Sequence, residues 1–290
     1  MNRIATIGFF DGVHKGHQYL FEHLRSLAAE KGLEPLIVTF ATHPREALQS
    51  DYIPRLLSTV QERRALLCKY GEVLMLPFED IQSLTARQFM EWLHTNYDVT
   101  AILMGYDHRF GSDRLAHPQD YKHAGAQCGV EVYTLGEFID GEYHVSSTEI
   151  RAALESGNIV LANELLGRPY TLRGKVVHGN GIGKKIGFPT ANIEPDSPQK
   201  IIPKTGVYLA YVNTPTMDLA PSFVNIGTNP TIGNDSLSIE VHIPSFKGNL
   251  YDAQLELKFA RYIREERKFD SLEALRVQIK EDIDSILRPA

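Results

Sequence analysis

A short apolar run, Ile4-Ala5-Thr6-Ile7, leads into Gly8-Phe9-Phe10-Asp11-Gly12-Val13-His14-Lys15-Gly16-His17, after which Leu20, Leu24 and Leu27 recur at i, i+4, i+7. This order predicts a buried strand, a turn and a helix. Asp11-Gly12 has the chemistry of a turn, and Gly16 leaves room for another group to come close to the backbone. His14 and His17, three apart at the helix start, share one face beside the free N–H groups of its positive end. Such a place suits a phosphate. The same residues also fit an ordinary loop with two surface histidines. A zinc site would need a third ligand, and none lies nearby in the sequence.

The next residues repeat the pattern. Gly32 ends the first helix, and Leu36 to Phe40 reads as a second buried strand, completing a βαβ unit. Thr59 and Glu62 form a capping box before a helix from Val60 to Tyr70 that Gly71 closes, and Val73 to Leu76 is the next strand. Thr85 and Gln88 repeat that signature before a helix from Ala86 to His94. Strand Ala101 to Met104, a helix around Tyr121 to Cys128 and strand Glu131 to Leu135 follow. The alternation predicts an open α/β, Rossmann-like sheet of about five parallel strands, which binds ligands beyond the carboxyl ends of its strands. The polar clusters fall at those ends: His14 with His17, then Thr42-His43-Pro44-Arg45, then Gly105 to Gly111 with Asp107 and Arg109, and finally His144 to Arg151. Ser146 to Glu149 is a capping box and so a plain helix start. Equally, its hydroxyls and free N–H groups, with Arg151 one turn on, make a phosphate cradle.

Two short helices end at Gly167-Arg168-Pro169, and the texture then changes to short β runs separated by Gly, Pro and Asn. This places a boundary near residue 166, giving domains 1–165 and 166–290. Strands are predicted at Tyr170 to Val177, Val207 to Val212, Ser222 to Ile226, Leu237 to Ile243 and Ala253 to Phe259. They suit a small antiparallel barrel. A last helix, capped by Ser271, aligns Leu272, Leu275, Ile279, Ile283 and Ile286 on one face, as for core packing against the barrel. Between the first two β runs, Gly179, Gly181, Gly183 and Gly187 with Lys184 and Lys185 form a loop able to surround a polyphosphate, although a flexible hairpin is the default for such a composition. Thr190 and Asn192 alternate around Ala191, so their oxygens point the same way, as suits Mg²⁺ with its few protein ligands. In Ser238 to Ile243 alternation sends Glu240 and His242 to the face opposite Ile239 and Val241.

Composition bounds the partners. The chain of 290 residues is long enough for two cores, and its net charge of −6 leaves no basic footprint for nucleic acid. No apolar segment approaches the roughly 20 residues of a membrane span, and the amino terminus reads as a strand rather than a signal peptide. Cys68 and Cys128 read as buried small residues in a reducing, cytoplasmic compartment.

The wording FDGVHxGHQ around His14 and His17, and SSTxIR at Ser146 to Arg151, resemble the nucleotidyltransferase half of bacterial bifunctional riboflavin kinase/FAD synthetases. GFPTAN (187–192), GVY (206–208), NIGTNPTIG (225–233), SIEVHI, LYD (250–252) and EERKFDSLEAL (265–275) resemble the riboflavin kinase half, in the family's order. The resemblance implies FMN adenylyltransferase and riboflavin kinase activities, with riboflavin, FMN, FAD and ATP as substrates and products, and Mg²⁺ as cofactor. It assigns ATP in the first domain to Gly8, Phe10, Asp11, His14, His17, His43, Asp107, Arg109, Ser147, Thr148 and Arg151, the histidines stabilising its phosphates. In the second domain it assigns ATP to Gly179, Gly181, Gly183, Lys184, Gly187, Pro189, Thr190 and Asn192, with Thr190 and Asn192 also on Mg²⁺. Glu240 would be the general base, and Arg267 would lie near the flavin. The HxGH motif alone also permits adenylyl or cytidylyl transfer to another phosphate ester. The chain departs from the family at Phe9, where Asn is common.

Overall fold

The computed structural model describes residues 1–290 except 50, 107, 141, 142, 180, 215, 229–236, 245 and 288–290. The chain divides into two compact units, Met1–Ser147 and Thr148–Ala290. Two helices that the sequence groups with the first domain, α6 (Ser147–Ser156, all but its first residue) and α7 (Ile159–Leu166), fall in the second unit. The side chain of Asn163 shows why: it donates to Phe259 O at 2.9 Å and accepts from Tyr170 N at 2.7 Å.

The first unit alternates β1 (Arg3–Ile7), α1 (Lys15–Lys31), β2 (Glu34–Phe40), the short α2 (Pro44–Leu48), α3 (Val60–Leu67), β3 (Glu72–Leu76), α4 (Ala86–Tyr97), β4 (Val99–Met104), α5 (Pro118–Ala126) and β5 (Glu131–Thr134). The strands are parallel, as expected, and ordered β3-β2-β1-β4-β5, so the strand order reverses between β1 and β4. The capping boxes at Thr59 and Thr85 close: each threonine accepts from a third-residue N–H, and the Glu62 and Gln88 side chains accept from the cap N–H groups. Each contributes about 1 kcal/mol. Helix α3 stops at Leu67, short of the expected Tyr70. A small hairpin, β6 (Ile139–Asp140) and β7 (Tyr143–His144), intervenes before α6, where the sequence pattern predicts no strand.

In the second unit β8 (Tyr170–Val177), β9 (Thr190–Pro195), β10 (Gly206–Thr214), β11 (Met217–Thr228), β12 (Leu237–His242) and β13 (Gln254–Arg264) close a barrel in the order β10-β11-β12-β9-β8-β13. Strand β9 is the member that periodicity does not count, because its alternation is broken by Pro and Asn. Ile239, Val241, Leu255, Leu257 and Phe259 fill the core. A one-turn helix, α8 (Ile182–Lys185), stands inside the glycine-rich loop where a hairpin was the default.

Two expectations fail. The terminal helix α9 (Leu272–Leu287) is present and capped by Ser271, whose hydroxyl accepts from Ala274 N. Its apolar stripe does not form a sealed core, however: Leu272 is 55 % exposed, while Leu275, Ile279 and Ile283 are half-buried; the side chain of Ile286 lies outside the described residues. A buried ion pair holds the helix instead. Asp282 takes a bidentate bond from Arg264 of β13, with Nε at 3.0 Å and Nη2 at 2.7 Å from Oδ2. Secondly, Cys68 is exposed, not buried, because it follows the exposed Arg64 by four residues and so stands off the Arg63–Leu67 stripe that faces the core; Cys128 is half-buried, and both are free thiols.

Candidate active sites

The first site is built on a loop whose backbone is unusual. Phe10 (φ 54°) and Val13 (φ 43°) join Gly12 (φ 76°) in the left-handed region. This conformation lets the chain leave β1 and enter α1 within a few residues. His14 is the N-cap of α1, and its Nδ1 accepts from His17 N at 3.4 Å. That bond puts the ring proton on Nε2, a donor for an anionic oxygen. The two imidazoles stack with centroids 3.6 Å apart, and the first turn of α1 carries no acidic residue to offset its positive end. Gly16 sits in a crowded place: a Cβ there would stand 3.3 Å from both the His14 ring and Val145 O, so either would have to give by a few tenths of an ångström.

These groups open onto a cavity of about 520 Å³ at the switch point between β1 and β4. Gly8, Phe9, Phe10, His14, His17, Gly105, His108 and Ser147 are among its lining. The Ser147 hydroxyl donates to Asp11 O at 3.0 Å, which joins the last loop of the unit to the first. Asp11 itself is turned away from this lining: its buried carboxylate accepts from Leu57 N, Ser58 N and the Ser58 hydroxyl. His43 caps α2 by accepting from Arg45 N at 3.1 Å, half-buried and outside the lining. Arg109 is exposed and also outside it, and Asp107 lies outside the described residues. Thr148, exposed, and Arg151, half-buried, continue α6 within the second compact unit.

Sequence reasoning misses one participant. Arg63 is fully buried under the loop, donates from Nη2 to Phe40 O at 2.6 Å, and holds its guanidinium carbon 4.0 Å from the centre of the Phe9 ring. Burial lowers its pKa to about 10, with the charge of Asp11 pulling the other way. The signal was available: Arg63 sits four residues before Leu67 on a helix that the capping box announces, so it shares that helix's buried face.

The second site lies on one face of β12 and β9. Glu240 pairs across the sheet with Asn192 on one side and Asn225 on the other, and His242 pairs with Thr190. This register makes Thr190 the diagonal neighbour of Glu240, and its hydroxyl donates to Glu240 Oε2 at 3.0 Å. His242 donates from Nδ1 to Pro189 O at 2.9 Å, the other ring nitrogen being the acceptor, and burial lowers its pKa against the pull of that bond. It is buried, although simple alternation turns its whole face toward solvent.

Two cavities meet at Thr190. One, of about 290 Å³, is walled by Ile186, Phe188, Val207, Phe223, Leu275 and Ile279, with Glu240 and Arg267 at its polar edge. The other, of about 230 Å³, is lined by Gly181, Lys184, Pro189, Thr190 and Tyr251, among others. The loop glycines divide by task. Gly181 (φ 64°) and Gly187 (φ 87°) supply left-handed backbone, whereas Gly179 and Gly183 allow close approach: a Cβ would meet Asn192 Nδ2 at 2.0 Å and Phe188 O at 2.3 Å. The part of the NIGTNPTIG motif beyond Thr228 lies outside the described residues.

Comparison with known proteins agrees with both halves. Residues 1–149 match the family model described as FAD synthetase, and residues 166–288 the model described as riboflavin kinase. The bifunctional riboflavin kinase/FMN adenylyltransferase of Pseudomonas fluorescens is 36% identical over 285 residues, 97% of this chain and 90% of the relative. That of Escherichia coli K12 is 34% identical, covering 96% and 90%. A crystal structure described as a macrolide-efflux protein from Streptococcus pneumoniae superposes with a TM-score of 0.90 at 32% identity, covering 100% of this chain and 95% of that one. No helix among the described residues is long and apolar enough to cross a membrane. On these matches, carried by both halves in order, the chain belongs to the bifunctional riboflavin kinase/FMN adenylyltransferase family.

Proposed function

We propose that the chain makes FAD in two steps, phosphorylating riboflavin with ATP in the second unit and transferring an adenylyl group from ATP to the resulting FMN in the first. The observation that carries the kinase assignment is the position of Thr190, in the wall shared by an apolar cavity and a glycine-loop cavity and bonded to Glu240. An isoalloxazine ring suits the apolar cavity, with Arg267 at its edge, and a nucleotide suits the other. Lys184, Pro189 and the backbone of the loop glycines Gly179, Gly181, Gly183 and Gly187 then face the polyphosphate. Glu240, at the junction, orients the ribityl 5′-hydroxyl and takes its proton as it attacks the γ-phosphorus, with ADP leaving.

Thr190 and Asn192 offer a hydroxyl and an amide oxygen beside the Glu240 carboxylate, an all-oxygen set that fits Mg²⁺. When bound, the ion neutralises charge on the nucleotide's phosphate oxygens. The residues' own contribution is alignment: the cross-strand register holds all three on one face, and the lack of a Cβ at Gly179 leaves room for the Asn192 amide.

In the first unit the nucleophile is the FMN phosphate, already ionised near neutral pH, so no strong base is required. What the α-phosphorus needs is donors to the charge that builds as pyrophosphate leaves. His14, His17 and the open end of α1 supply them, and Ser147 supports the site by donating its hydroxyl to Asp11 O. Gly8 and Phe10 shape the same pocket, and Asp11 acts through the loop it pins. The SSTxIR resemblance assigns Thr148 and Arg151, and the family's loops assign His43, Asp107 and Arg109, to the same nucleotide. We place the chain in the cytoplasm, where the exposed thiol of Cys68 stays reduced.

Separation of the flavins formed from riboflavin, ATP and Mg²⁺, with a parallel reaction started from FMN, tests both steps. FAD in both reactions is the expected outcome. FMN as the sole product would remove the adenylyltransferase, and no product in either would remove both activities.

A further inference from the structure

The family commonly carries Asn where this chain has Phe9, yet the loop around Phe9 is the most conformationally demanding stretch of the first unit. A β-branched Val13 and an aromatic Phe10 both hold positive φ, and such backbone persists only where its surroundings over-determine it. Part of that constraint is hydrogen bonding. Asp11 is tied to Leu57 and Ser58, Gly12 N donates to the Ser58 hydroxyl at 2.9 Å, and the Thr39 hydroxyl donates to Phe9 O at 3.2 Å.

The rest comes from Arg63. It is 0 % exposed and uses Nη2 on Phe40 O, while Nε and Nη1 have no hydrogen-bond partner among the described residues. A desolvated cation with unmatched donors needs compensation. Two groups provide it: the Asp11 charge within the loop and the face of Phe9, whose centre is 4.0 Å away. A cation over an aromatic face at that distance is attracted by the ring quadrupole, most strongly when water is excluded. The Phe9 ring also meets His43 edge-on, with centroids 4.6 Å apart. Phe9 therefore contacts the buried cation and the His43 cap at once, while lining the cavity of His14 and His17.

We propose that the half-buried Phe9 and the buried Arg63 form a brace that holds the His14/His17 loop in its reactive shape, both acting as positioning residues for adenylyl transfer. The brace rests on the adenylyltransferase reading of the first unit. It makes Phe9 a replacement built around a guanidinium rather than a lost nucleotide contact. An Asn at this place offers no face to the cation.

The test uses the full chain with Phe9→Leu, Phe9→Asn and Phe9→Tyr. The readouts are amide hydrogen exchange of residues 8–14, kcat and KM for FMN adenylylation, and riboflavin phosphorylation as an internal control for folding. Phe9→Leu and Phe9→Asn should speed exchange of the loop amides about tenfold or more and lower kcat for FAD formation by a similar factor. Phe9→Tyr, which keeps the face, should restore both, and phosphorylation should be unchanged throughout. Wild-type exchange in Phe9→Leu overturns the brace, and so does a Phe9→Tyr protein that behaves like Phe9→Leu. Faster exchange with unaltered kcat overturns the positioning role. A wild-type chain that makes no FAD would refute the adenylyltransferase reading, and the exchange rates would still decide the brace.

Discussion

The two sites solve phosphate chemistry by opposite means. In the first unit the reactive groups come from one short loop and the helix it opens. Their geometry is local: a cap bond from His17 N to His14, a stacked pair of rings, and left-handed backbone pinned from behind by Asp11 and Arg63. In the second unit Glu240 meets Thr190 and Asn192 only through strand pairing. Thr190 reaches Glu240 across fifty positions because β9 and β12 pair in one register, and the wall of the apolar cavity joins α9 residues to strand residues, with the Arg264–Asp282 ion pair among its lining. A loop site is as good as the contacts beneath it; a sheet site is as good as its register.

That contrast can be broken by single substitutions. The largest effect is expected for Glu240→Gln, which keeps the shape of the Thr190 contact but removes the proposed base: FMN formation should fall by roughly 10²–10⁴, while FMN-to-FAD conversion continues. Loss of both activities would show that the sites are not separate. His17→Ala is the mirror image, with FAD synthesis down by about 10²–10³ and the kinase intact; unimpaired FAD synthesis would take His17 out of the mechanism. Next comes Asp282→Asn, which leaves Arg264 without its carboxylate. The second unit should lose roughly 3 kcal/mol in denaturant unfolding and the KM for riboflavin should rise more than kcat falls. An unchanged KM would mean that the α9 latch does not shape the flavin cavity.

The smallest effect concerns pH. Burial holds the His242 imidazole below its ordinary pKa of 6.5 in the folded chain. The unfolded chain therefore binds a proton that the folded chain refuses, so stability is complete above 6.5 and declines as pH falls toward the folded value. His242→Asn should flatten this acid limb in unfolding curves recorded between neutral and mildly acid pH. An equally steep limb in the variant would assign the loss to other groups.

Much of the molecule is legible in its sequence because it rests on short-range rules. The strand-turn-helix around His14, the capping boxes at Thr59 and Thr85 and the parallel sheet implied by alternation all follow from the spacing of apolar, capping and turn residues. So does the common face of Thr190 and Asn192. Where such reading fails, a long-range term has won. His242 is buried because another element covers a face that alternation alone assigns to water. The α9 stripe lines a cavity instead of a sealed core, since the Arg264–Asp282 pair, rather than Leu272, fastens the helix.

By itself, then, the sequence determined which residue types could meet a phosphate and at which ends of which strands, because cap chemistry and side-chain periodicity are fixed within a few residues of the chain. The tertiary structure alone decided that Arg63 would lie under Phe9, that Thr190 would stand between two cavities and that Asp282 would hold α9. Each of these depends on groups distant in the chain being desolvated together, and the energy of a buried charge is set by the neighbours that folding brings to it.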